Sequence, residues 1–246
     1  IQRQKNMQIS FLCAKINLLP GKPLSSVLMK TQHKAVIFDL DGTLLDTLED
    51  LADSTNTVLA RHGLPTHALD RYRYFVGDGI INLILRSLPE DRATLACAKE
   101  LHPEIDDEYG RTWHVKTRPY EGINELLSEL IARGIRVSVL SNKPHHFTTK
   151  IVEHYFPQVP FYPVFGYREG IPRKPDPAAA LDIVGTLGFH KDEFLYLGDT
   201  NTDMQTANSA GLYAVGASWG FRPVEELADA GANAIIDSPL ELLDFL

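Results

Sequence analysis

The stretch KAVIFDLDGTLLDT, Lys34 to Thr47, decides how the rest of the chain is read. The apolar run Ala35 to Phe38 has the length and character of a strand buried on both faces. Two aspartates, Asp39 and Asp41, stand at its end with Gly42 and Thr43 directly behind them. Asp-Gly is a common turn pair, so local geometry offers one explanation. Chemistry offers another, and the remaining sequence has to decide between them.

At 246 residues and 44% hydrophobic, the chain can bury a full core and carry a large insertion. Its formal net charge of −8 argues against a nucleic-acid or anionic-membrane binder, which needs a basic face. The two cysteines, Cys13 and Cys97, exclude a disulfide framework and a thiolate zinc site, and suit a reducing cytoplasm. No apolar run reaches membrane-spanning length. The adjacent His145 and His146 read as solvated residues, since neighbours on a helix point to different faces. Before Asp39 there is no acidic residue, whereas Arg3, Lys5, Lys15, Lys22, Lys30 and Lys34 are basic. Residues 1–30 are therefore expected to be an N-terminal extension, disordered or not native, with Met29 close to the first strand.

From Lys34 onward, short apolar runs alternate with helical patterns, the signature of a doubly wound parallel α/β sheet. The strands are expected at KAVIF (34–38), RVSVL (136–140), FLYLG (194–198), YAVGA (213–217) and NAIID (233–237). In GINELLSELIARG, residues Ile123, Leu126, Leu127, Leu130 and Ile131 form one stripe that stops at Gly134. PAAALDIVGTLG opens on a proline and ends at Gly188. The interval 47–117 breaks the alternation. A helix capped by Asp46 or Thr47 carries the stripe Leu48, Leu51, Ala52, Val58, Leu59 and ends at Gly63 and Pro65. Further helices are expected over 79–88 and 103–115. No strand–helix–strand crossover needs so much chain, so residues 47–117 read as an inserted helical cap domain. Residues 31–46 and 118–246 then make the catalytic core.

Ligands of parallel sheets bind beyond the carboxyl ends of the strands. Asp39 and Asp41 follow the first strand, Ser141-Asn142-Lys143 the second, and Asp199, Thr200 and Asp203 the third, while Lys174 lies in PRKPDP between the last two. Each has a plain alternative: a turn, a helix cap, a solvated lysine, a helix start. Together they do not, because carboxylates gathered at one edge repel unless a cation joins them. An all-oxygen, hard-charge set fits Mg²⁺, which often bridges to a phosphate. On this reading Asp39 attacks phosphorus and Asp41 donates a proton to the leaving oxygen. Ser141 and nearby N–H groups hold phosphoryl oxygens, and Lys174 neutralises their charge.

DLDGTLLDT, SNK, the lysine of RKPDP and GDTNTD, in this order, resemble the four motifs of the haloacid dehalogenase-like hydrolase superfamily. GDTNTDMQTANSAGLYAVGASWG together with FVGDG resembles its phosphoglycolate phosphatase-like members. The resemblance implies a Rossmannoid core with a helical cap, Asp39 as nucleophile, and Asp41 as acid/base with its carbonyl on Mg²⁺. It further implies that Thr43 supports Asp41, that Ser141 and Asn142 bind the phosphoryl group, and that Lys174 is the motif lysine. Asp199 is implied as a direct metal ligand and Asp203 as a second acid, acting through water or as an orienter.

An acid at position 41 favours a phosphatase or a phosphomutase over dehalogenases, phosphonatase-like members and ion pumps, which lack it. The expected activity is Mg²⁺-dependent hydrolysis of a small phosphorylated metabolite, with 2-phosphoglycolate leading. A hexose-type phosphomutase and a nucleotidase or pyrophosphatase are the alternatives, and a receiver-like phospho-acceptor is the non-enzymatic one. In the cap, the glycines around Asp78 suit a loop closing over substrate. Arg73, Arg86, Arg118 and Lys143 are the candidate cations for a substrate carboxylate, and the sequence does not choose among them. WGFRP (219–223) is left undecided as a lining segment.

Overall fold

The computed structural model describes residues 33–246, so the expectation for residues 1–30 lies outside the described residues. Six strands form one parallel sheet: β1 (Ala35–Phe38), β4 (Arg136–Pro144), β5 (Val164–Tyr167), β6 (Phe194–Gly198), β7 (Tyr213–Ala217) and β8 (Ala234–Ile236), in the order β5-β4-β1-β6-β7-β8. β1 is central because both its faces are apolar. Val36 and Phe38 pack on one side with helix α5 (Ile123–Ala132) and helix α6 (His145–Tyr155). Ala35 and Ile37 pack on the other with α7 (Ala178–Leu187), α8 (Asn201–Ala210) and α9 (Val224–Asp229). All four residues of β1 are fully buried, which is why the strand reads as a continuous apolar run.

Three details depart from the sequence reading. β5 was not expected: it is an edge strand of four mostly half-buried residues, too short and too mixed to stand out as an apolar run. β4 continues four residues past Leu140 to Pro144, with a register irregularity against β5. Ile131 lies at the margin of the α5 stripe and is 39% exposed, so the buried face is Ile123, Leu126, Leu127 and Leu130.

Between β1 and β4 the chain leaves the sheet through β2 (Leu45–Asp46) and returns through β3 (Arg118–Pro119), which pair antiparallel. Between them lie α1 (Leu48–Arg61), α2 (Leu69–Phe75), α3 (Ile80–Ser87) and α4 (Leu95–Thr112). α4 begins well before the expected 103, capped by Thr94 accepting from Cys97 N, and carries Pro103 in its interior. Asp50 in the first turn of α1 ties the outgoing chain to the returning one. Its buried carboxylate accepts from Lys116 N (3.0 Å), Thr117 N (2.8 Å) and Thr117 Oγ1 (2.7 Å).

Because hydrogen bonds to a buried charge are strong and their donors are costly to strand, Asp50→Ala is expected to destabilise the protein by about 3 kcal/mol in urea unfolding. A loss under about 1 kcal/mol would mean that water replaces the carboxylate at this junction.

Candidate active site

Register places the site. Phe38 pairs with Val139 of β4 and Leu197 of β6, so the chain beyond these three residues emerges at one level on one edge. Asp39 N still donates to Leu197 O (2.9 Å), which holds the residue at the mouth of the strand. Asp39, Asp199 and Asp203 are all buried, and one carboxylate oxygen of each lies within 4.8 Å of the others. At an effective dielectric near 20, each pair of unit charges at that range repels by about 3 kcal/mol.

Lys174 answers this charge. Its Nζ stands 2.8 Å from Asp39 Oδ1 and 2.7 Å from Asp203 Oδ1, and donates to Leu140 O (3.1 Å). Burial alone lowers the lysine, but Asp203 and Asp39 outweigh it and hold Lys174 well above its usual value. A side-chain amide delivers it: Asn142 Oδ1 accepts from Lys174 N (2.9 Å) and Asn142 Nδ2 donates to Lys174 O (3.1 Å). Asn142 Nδ2 also donates to Gly77 O (3.0 Å). The Asn142 side chain is thus spent on two loops, and it positions Lys174.

Asp199 is gripped from two sides, by Thr43 Oγ1 on Oδ1 (2.8 Å) and Phe221 N on Oδ2 (2.8 Å). Gly42 lets the backbone lie against it, since its φ is +90° and a Cβ there would overlap the Asp199 carboxylate. Thr43 was expected to support Asp41; its hydroxyl serves Asp199. The Asp41 carboxylate turns away from the acidic cluster and is held by Thr47 Oγ1 (2.7 Å) and Lys143 Nζ (2.9 Å), both on Oδ1. Thr47 occupies the N-cap position of α1, yet its hydroxyl makes this bond and not a cap. Asp203 Oδ2 accepts from Thr200 N and Oγ1 at the start of α8, and its Oδ1 from Lys174 and Tyr196 OH (3.3 Å). Both oxygens are engaged, as an orienting residue requires. Ser141 is buried and lines the cleft, its Oγ accepting from Lys143 N (3.2 Å).

These residues suit a divalent cation. Asp39 Oδ1 is buried and receives no aligned hydrogen bond, and Asp199 has only one donor on each oxygen. The donors are hard oxygens only. Burial, and then Asp203, push Asp39 well above its ordinary value, while the same two causes carry Asp199 to about 7.

The cleft over Asp39 spans about 610 Å³ of empty space, the open solvent at its mouth included. Leu51, Val76, Ile80, Leu83 and Ile105 from the inserted helices, with Phe147 of α6, make its walls apolar. Tyr109 and Lys143 add a cation–aromatic contact of 4.6 Å, and the Tyr109 hydroxyl, pushed up to about 12 by burial, has no partner among the described residues. Val76–Gly79, the expected closing loop, is pinned to the sheet edge. Val76 O accepts from Arg222 Nη2 (3.0 Å), Gly77 O from Asn142, and Asp78 Oδ1 from Thr202 Oγ1 (3.2 Å). WGFRP belongs to the site: besides Phe221 and Arg222, Trp219 Nε1 donates to Thr43 O (3.1 Å). Of the four candidate cations only Lys143 lines the cleft, and all four are engaged. Arg73 bonds Gly220 O, Arg86 pairs with Asp78, Arg118 with Asp46 and Lys143 with Asp41. The roles of Thr47 and Tyr109 were missed because each depends on a partner that only the fold supplies.

Residues 36–217 match the family model described as haloacid dehalogenase-like hydrolase. The chain is 30% identical over 213 residues to the phosphoglycolate phosphatase of Pseudomonas syringae pv. tomato, covering 85% of this chain and 78% of that one. It is 33% identical over 226 residues to the N-acetylmuramic acid 6-phosphate phosphatase of Pseudomonas aeruginosa, covering 87% and 94%. The crystal structure of a predicted phosphoglycolate phosphatase from Haemophilus somnus superposes with a TM-score of 0.79 at 28% identity, over 87% of this chain and 97% of that one. The chain belongs to the haloacid dehalogenase-like hydrolase family. Within it, the chain is phosphoglycolate phosphatase-like.

A raised carboxyl favours the fold below its unfolded value, and that contribution is lost as pH rises through the folded one. Cation-free protein is therefore expected to lose stability as pH climbs from about 4 through about 7, where Asp199 ionises among its neighbours. A divalent cation should restore it, so the melting-temperature gap between Mg²⁺-loaded and EDTA-treated protein should widen from pH 5 to pH 8. A gap that stays constant or narrows would place the cation elsewhere.

Proposed function

We propose that this protein is a Mg²⁺-dependent phosphomonoesterase that works through an aspartyl-phosphate on Asp39. The observation that carries the reading is the convergence of Asp39 with Lys174, Asp199 and Asp203 at one buried edge, beneath a cleft that opens over Asp39. A hard divalent ion on Asp39, Asp199 and the Asp41 carbonyl would draw charge from the phosphoryl oxygens. Asp39 supplies the nucleophilic oxygen, and its contact with Lys174 keeps positive charge at the point of attack. Ser141 stands on the cleft wall where it can hold a phosphoryl oxygen. Asp41, aimed by Thr47 and Lys143, hands a proton to the leaving oxygen and takes one from the water that hydrolyses the intermediate. Residues 47–117 act as the cap: they supply most of the apolar wall, and the pinned Val76–Gly79 loop excludes water from the reaction.

The substrate is a small phosphate ester in the cytoplasm, and 2-phosphoglycolate leads because relatives similar in sequence and in structure bear that name. A second reading, N-acetylmuramic acid 6-phosphate, is favoured by the apolar cleft walls, which suit a bulkier leaving group than glycolate. Both compounds carry a carboxylate in addition to the phosphate.

Inorganic phosphate release from a panel of both compounds, hexose phosphates, nucleotides and pyrophosphate, with Mg²⁺ and with EDTA, tests the reading. Turnover is expected only with Mg²⁺, and Asp39→Asn should lower it by at least about 10³-fold while leaving the melting curve cooperative. Isomerised hexose phosphate without phosphate release would establish a mutase, and substantial Asp39→Asn activity would mean another nucleophile.

A further inference from the structure

The loop between β5 and α7 carries two arginines whose charge nothing in the fold answers. Arg173 immediately precedes Lys174, and Arg168 opens the same loop. Among the described residues neither makes an ion pair or a side-chain hydrogen bond, and the Nε of each is buried without a partner. Both guanidiniums are nonetheless held in place. That of Arg173 stacks 3.5 Å from the Tyr167 ring centre, and that of Arg168 lies 4.0 Å from the Phe165 ring centre. Backbone bonds fold the loop on itself, from Ile171 N to Arg168 O (3.2 Å) and from Asp176 N to Arg173 O (3.0 Å).

Arg173 borders the cleft without lining it. Gly79, which lines it, packs against Arg173 so closely that a Cβ there would stand 2.9 Å from Nε. Arg168 sits near the first turn of α6, where its charge adds to burial in lowering His145. A latch for the Val76–Gly79 loop is not their task. That work is done by Arg222 on Val76 O and Asn142 on Gly77 O, whereas Arg173 touches the loop and donates to none of its carbonyls. A guanidinium fixed by stacking, with its fork of donors unspent, is built to receive a carboxylate or phosphate.

We propose that Arg173, assisted by Arg168, forms a second anion subsite at the cleft mouth, and that the substrate is a phosphate monoester carrying a second negative group that these arginines hold. The subsite rests on the phosphomonoesterase reading and narrows its substrate class. It also accounts for the engagement of every cation singled out in the cap and after β4: the tail of the substrate meets the loop of Lys174, so one loop reads both anions.

The test compares substrates with and without the second charge: 2-phosphoglycolate against its neutral amide, and N-acetylmuramic acid 6-phosphate against N-acetylglucosamine 6-phosphate, which lacks the lactyl ether and its carboxylate. p-Nitrophenyl phosphate serves as the uncharged-tail reference. The wild-type enzyme should prefer the acid in at least one pair by about tenfold or more in kcat/KM, roughly the value of one charge-assisted contact. Arg173→Gln should erase that preference through KM, with kcat for the acid nearly unchanged. The neutral partner and p-nitrophenyl phosphate should stay within about twofold. Arg173→Lys should recover part of the preference. A wild-type enzyme that turns over p-nitrophenyl phosphate without favouring either acid overturns the subsite alone. Equal losses on charged and neutral substrates would make Arg173 a support for the loop and also overturn it. Wild-type protein inert on every ester with Mg²⁺ present overturns the phosphomonoesterase reading itself, and the subsite with it.

Discussion

Three buried carboxylates share a space under 5 Å across with a single lysine, and the local structure is organised around making that tolerable. Lys174 offsets part of the repulsion, but a lysine on a loop would not stay buried without a clamp, which is what the Asn142 side chain provides at both its N–H and its carbonyl. Asp199 is satisfied by one hydroxyl and one backbone amide, with Gly42 and Gly220 giving the room for that approach. Asp203 is absorbed into the cap of α8, so one residue both starts a helix and holds the lysine. Asp39 has Lys174 beside it, 2.8 Å from Oδ1, but that oxygen is buried and receives no aligned hydrogen bond.

The second carboxylate of the opening motif has a different environment. A single residue, Leu40, separates Asp39 from Asp41, yet Asp41 is drawn out of the acidic cluster by Thr47 and Lys143. Lys143 is buried against Tyr109 of α4, so the inserted helices reach Asp41 through a single cationic side chain. This separation gives the two aspartates distinct jobs. Asp39 stands with Lys174 and the two other buried acids, Asp41 with Thr47 and Lys143, and both line the cleft.

The parts of this arrangement that depend on local pattern were legible in the sequence. β1, β6 and β7 are buried on both faces, so their apolar runs coincide with the strands almost residue for residue. The parallel order then fixes which residues follow each strand, which is why Asp39, Ser141, Lys174, Asp199 and Asp203 could be gathered on paper. What required the fold was the choice of partner. Thr43 and Thr47 lie four apart in one motif, and only the turn after Asp41 decides that the first reaches Asp199 and the second Asp41. That the Asn142 side-chain amide clamps the backbone of Lys174 is visible only in the fold. β5 escaped because an edge strand is half solvated. Arg168 and Arg173 escaped because a charged residue announces nothing until its lack of partners is known.

The central claim is a covalent bond between Asp39 and phosphorus. The most direct measurement is a rapid acid quench of the Asp41→Asn variant with ³²P-labelled substrate and Mg²⁺, followed by peptide mapping. Loss of the proton-transfer group should slow breakdown of the intermediate more than capture of a substrate with a good leaving group. The account predicts acid-stable, hydroxylamine-labile label on the peptide that contains Asp39, and none when Asp39 is also replaced by Asn. Substrate turnover with no label on that peptide, or label that survives the loss of Asp39, would contradict it.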